Sequence, residues 1–110
     1  DSFLNKLMAL IKYVLNEKNG MLNISELAVL TGELEVTIEV ALKFLEAAGY
    51  LYLDKISENH YFIKRGNKIA EGKKNIYKNN LKDLLKESNS FKKFLLGASS
   101  SKILNYIKKG

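Results

Sequence analysis

A chain of 110 residues with 46% hydrophobic content holds apolar side chains enough for one modest core. It has no Cys, which excludes disulfides and thiolate-bound metals, and it has no apolar run of about 18 residues and no signal-peptide pattern, so a cytoplasmic protein without a membrane partner is expected. The net charge of +6 is unevenly spread: residues 1–62 carry 5 Lys and 9 acids, whereas residues 63–110 carry 13 Lys and Arg against 3 acids. A basic second half fits a nucleic-acid partner, and a solvated lysine-rich surface equally well.

From the start, Phe3, Leu4, Leu7, Leu10, Ile11, Val14 and Leu15 recur at spacings of three and four, which predicts a helix over 3–18 with Ser2 as cap and Asn19-Gly20 as stop. Met21, Leu22 and Ile24 can form a short strand. Ser25 is the expected N-cap of a second helix carrying Leu27, Ala28 and Leu30, ended by Gly32. A third helix follows, with Ile38, Ala41, Leu42, Leu45 and Ala48 on one face and Gly49 as its stop. Tyr50–Leu53 reads as strand by its aromatic content. With Tyr61-Phe62-Ile63 beyond the polar Ser57–His60, it makes a hairpin.

Two short helices around a Gly turn, the second running into a strand, describe a helix-turn-helix. The ISELAxLTG turn, the IxxALxxLxxxGYL exit and the hairpin that follows resemble the winged helix-turn-helix family of bacterial and archaeal transcription regulators, over roughly residues 1–74. The resemblance implies a mainly α fold with a small β-hairpin, the wing, to which the 21–24 strand pairs. It also implies double-stranded DNA as partner, with the third helix entering the major groove. The positions so transferred are Glu35, Val36, Thr37, Glu39, Val40 and Lys43. Of these, Thr37 and Lys43 are the expected DNA contacts, since the carboxylates repel phosphate. Leu34 stands where the family usually has a capping Ser or Thr.

Beyond the wing, Lys64, Arg65, Asn67 and Lys68 form a basic exit, with Gly66 permitting the turn, and Lys73 and Lys74 extend it. Together with Thr37 and Lys43 these are the candidate DNA-binding residues. Ile69, Ile76, Tyr77, Leu81, Leu84 and Leu85 then predict a helix bent near Gly72, lined by lysines and broken at Ser88-Asn89-Ser90. Residues 75–110 are thus expected as a basic helical extension, packed on the first domain or forming a homodimer contact.

Val36, Val40 and Phe44, spaced i, i+4, i+8, make a second apolar stripe on the third helix and are the candidate protein-interaction residues. The C-terminal apolar groups Phe91, Phe94, Leu95, Ile103, Leu104 and Ile107 are expected to cover it. The alternative function is a protein-interaction module whose partner does so. One His, no glycine-rich phosphate loop and no carboxylate pair at productive spacing leave no expectation of enzymatic activity, cofactor or metal; His60 reads as solvated at the hairpin tip.

Overall fold

The computed structural model describes residues 2–66 and 68–97, and the side chains as far as Ser88. Helix α1 (Ser2–Glu17) buries Leu7, Ile11 and Val14, the inner line of its apolar stripe. It ends as Asn19 and Gly20 enter the left-handed region at φ 53° and 82°, with the Gly20 N–H donating to the Val14 carbonyl at 3.1 Å. Gly20 is required by space as well as by φ. A Cβ there would lie 2.5 Å from the Ile63 carbonyl oxygen and 3.1 Å from the Phe62 ring.

The chain then forms β1 (Met21–Asn23), α2 (Ile24–Thr31), α3 (Glu35–Ala47), β2 (Leu51–Lys55) and β3 (His60–Arg65). The strands make one antiparallel sheet in the order β1-β3-β2, with Leu22 opposite Tyr61 and Leu53 opposite Ile63. Strand alternation sends Leu22, Leu51, Tyr61 and Ile63 into the core beneath the helices. Ile38, Ala41, Leu42 and Leu45 of α3 meet them there, joined by Ile24 and Leu27 of α2.

The cap of α2 differs from the expectation. Asn23, in extended conformation, accepts from the Glu26 N–H at 3.1 Å, whereas Ser25 lies inside the helix and its hydroxyl donates to the Glu35 carboxylate. Asn23 is the last strand residue and already has the backbone a cap needs. Gly32 closes α2 at φ 70°, as expected. Leu34 leads into α3 with no side-chain cap, leaving Glu35 in the first turn to suit the positive helix end.

Helix α4 (Glu71–Gly97) corrects two expectations. Gly72 sits in its first turn rather than at a bend, and Ser88-Asn89-Ser90 does not break it. Ser and Asn cost only about half a kcal/mol each relative to Ala in a helix, and no Pro is present to forbid continuation. The helix therefore also crosses the 74/75 boundary without interruption. At 27 residues it is about 40 Å long, which accounts for much of the 50 Å longest dimension.

α4 lies antiparallel along α3. At one end the Ala70 N–H donates to the Ala47 carbonyl at 2.8 Å; at the other the Ser88 hydroxyl donates to the buried Glu33 carboxylate at 3.3 Å. Between them Leu81 is buried and Leu85 packs on the core, while Leu84 and Val40 line one surface cleft together with Asn80 and Asp83. Of the stripe on α3, Val40 and Phe44 are half-buried and pack against the core. Phe91, Phe94 and Leu95 have their side chains outside the described residues, and Ile103, Leu104 and Ile107 lie outside them altogether. Val36 stays 49% exposed. Among the described residues the fold is four helices with a small three-stranded antiparallel sheet, and no helix is long and apolar enough to cross a membrane.

Candidate nucleic-acid interface

The basic residues singled out in the sequence fall into four places. Lys43 on α3, Lys68 in the exit from β3 and Lys73 on the first turn of α4 converge on one cleft of about 230 Å³, walled also by Glu46, Ala47, Ala70 and Tyr77. The backbone bond between Ala70 and Ala47 closes the floor and fixes the start of α4 against the end of α3. Lys43 and Lys73 are 30 positions apart in sequence and meet only because α4 runs back antiparallel along α3.

Within this cleft the charges do not cancel. Glu46 is its one lining acid, and its carboxylate is committed elsewhere, accepting from the Leu53 N–H at 2.9 Å and so tying α3 to β2. Three lysines against one carboxylate give the cleft lining a net positive formal charge, with a phenol at its edge. It can hold phosphate oxygens by Coulomb attraction and hydrogen bonds, and Tyr77 can donate another.

The remaining candidates point elsewhere. Lys64 projects from the outward face of β3, its ammonium 5.6 Å from the Phe62 ring centroid. Arg65 faces the α1 side, donating to the Asn16 side chain at 3.0 Å. Lys74 is half-buried and pairs with Glu71 at 3.9 Å. Asn67 lies outside the described residues.

Thr37 corrects the transferred reading. It is buried, 1% exposed, because α3 turns this position into the core beside Ile38 and Ala41. Its side chain cannot reach a base edge. Tyr77, read in the sequence only as part of a helical pattern, and Glu46 were not among the candidate site residues. The spacing of Tyr77 four residues after Lys73 on one helix was the signal available for the first, and nothing local marked the second.

At the opposite end of α3 the surface has another character. Val29 and Leu30 at the end of α2, with Leu34 and Val36 at the start of α3, are all exposed large apolar side chains, and the exposed acids Glu26 and Glu35 flank them. Among the described residues, no three His, Cys, Asp or Glu side chains are grouped to hold a metal ion. Comparison of the chain with protein-family models, with curated proteins and with solved structures found no match.

Proposed function

We propose that the chain is a winged helix-turn-helix protein that binds double-stranded DNA, in transcription regulation or chromatin organisation, by gripping phosphates through its lysine cleft and wing exit. The element order α-β-α-α-β-β supports the winged-helix reading: the β2–β3 hairpin is the wing, β1 completes its sheet, and α2–α3 is the helix-turn-helix. The observation that carries the DNA reading is the meeting of Lys43, Lys68 and Lys73 in one cleft at the junction of α3, wing exit and α4.

The grip is of low sequence specificity. α4 lies against α3 along Val40, and the exposed start of α3 bears Glu35 beside Leu34 and Val36, so no side chain suited to base edges stands where a groove would receive it. Phosphate contacts position a duplex without reading its sequence. Anisotropy titration with duplexes of unrelated sequence tests the reading. Affinities should agree between sequences within a few-fold and fall steeply with salt. An absence of binding at low salt overturns it.

A second reading rests on the apolar surface around the α2–α3 turn. Val36 retains the protein-interaction role there with Val29, Leu30 and Leu34, whereas Val40 and Phe44 are half-buried and serve the intramolecular packing. A basic, apolar protein segment is the complementary partner, and its binding should be lost on Val36→Glu with duplex binding preserved.

A further inference from the structure

The open face of the sheet carries side chains that a solvated β-surface does not need. Strand alternation sends Met21, Tyr52, Asp54, Phe62 and Lys64 to this face, and the register sets Tyr52 directly opposite Lys64 and Phe62 between Met21 and Asp54. Tyr50 stands just before β2, its carbonyl accepting from the Gly66 N–H at 3.1 Å. Tyr50 and Tyr52 are 60% and 45% exposed. Phe62 is half-buried because its ring rests on the bare backbone of Gly20, where a Cβ would come within 3.1 Å of it.

This arrangement pairs flat π surfaces with a cation. The Lys64 ammonium stands 5.6 Å from the Phe62 centroid, and its Cα partner is Tyr52. Tyr52 and Phe62 are diagonal neighbours, about 7–8 Å apart. The row of rings ends at Gly66, two residues before Lys68 carries the chain into the lysine cleft. Asp54, directly opposite Phe62 in the register, repels phosphate there, so the backbone of an anionic ligand is drawn to the Lys64 side of the rings. Exposed rings at strand spacing with an ammonium between them suit a polyanion that also offers unstacked aromatic surfaces.

We infer that this sheet face binds single-stranded nucleic acid, stacking unpaired bases on Tyr52 and Phe62, with Tyr50 as the next platform and Lys64 neutralising the phosphate between. The bases of a duplex are already stacked on one another, so the face selects unpaired strands. It shares no side chain with the lysine cleft and only Lys64 with the wing exit.

The test is anisotropy titration of the full chain with labelled oligo-dT and oligo-rU of about 12 nucleotides, against an abasic strand of the same length and charge. The abasic strand keeps the phosphates and removes the stacking partners. At least one base-bearing strand should bind about tenfold more tightly than the abasic one, and Tyr52→Ala should remove most of that difference while leaving abasic binding unchanged. Phe62→Leu, which keeps apolar volume over Gly20 but removes the ring, should act the same way. Preference for the deoxy or the ribo strand identifies the natural source, and either supports the inference. Equal binding of base-bearing and abasic strands, binding of neither, or an undiminished base preference in both variants overturns it. Replacing Lys43, Lys68 and Lys73 with Ala should leave the base preference intact, which separates this face from the duplex grip.

Discussion

The two ends of α3 belong to one helix and present opposite chemistry. At its start Leu34 is 67% exposed, no side chain caps the helix, and Glu35 leads a surface of Val29, Leu30 and Val36. At its end Lys43 faces a cleft roofed by the first turn of α4, with Lys68 and Lys73 brought in from the basic half of the chain. The difference comes from what α4 covers. It brings Lys73 to the last turns of α3 and buries Leu81 against the core, while Leu34 and Val36 at the first turn stay exposed. The helix laid upon α3 thus decides what α3 can touch.

The largest expected effect comes from loosening α4. Leu81 is the buried anchor of α4 on α3, and Leu81→Ala should cost about 2–5 kcal/mol of stability in urea denaturation, with the lysine cleft losing one wall. A loss below about 1 kcal/mol would mean that α4 rides on α3 rather than belonging to the core.

Capping the bare end should act in the other direction and more mildly. Leu34→Ser supplies a hydroxyl to an N-cap already in extended conformation, which should stabilise the chain by about 1 kcal/mol without altering duplex binding. Thermal denaturation reads the first effect and anisotropy the second.

The smallest effect is at high pH. Burial, and then the Glu39 carboxylate, raise the Tyr61 phenol above the ordinary tyrosine value near 10. The fold therefore favours the neutral phenol. The stability this contributes is whole below about pH 10 and is lost as pH climbs through the folded pKa. Tyr61→Phe should lose less stability between pH 9 and about pH 11 than the parent chain, in denaturant titrations at each pH.

Much of this fold was legible because its signals are local. The three- and four-residue spacings of Leu7, Ile11 and Val14, the left-handed stops at Gly20 and Gly32, and the aromatic strand after Gly49 each act within a few residues. What escaped depends on neighbours distant in sequence or on competition between near-equal choices. Asn23 displaced Ser25 as cap because the strand before it had already set an extended backbone. The run Ser88–Ser90 stayed helical because its propensity cost is small and Ser88 gains Glu33 as partner. The lysines were visible one by one, but their convergence was not, since Lys43 lies in the acidic half and reaches Lys68 and Lys73 only through the antiparallel packing of α4. Thr37 was misplaced because a transferred position says nothing about which face of α3 packs inward, and Thr37 stands four residues before the buried Ala41.

The salt dependence of duplex binding, measured for the parent chain and for the Lys43→Ala/Lys68→Ala/Lys73→Ala variant, tests the lysine cleft most directly. Each lysine that neutralises a phosphate adds about 0.9 to the slope of log Kobs against log salt, so the variant should bind every duplex more weakly, with a slope shallower by up to about 2.7. A variant that keeps the parent's affinity and slope would contradict the account and place the phosphate grip outside the cleft.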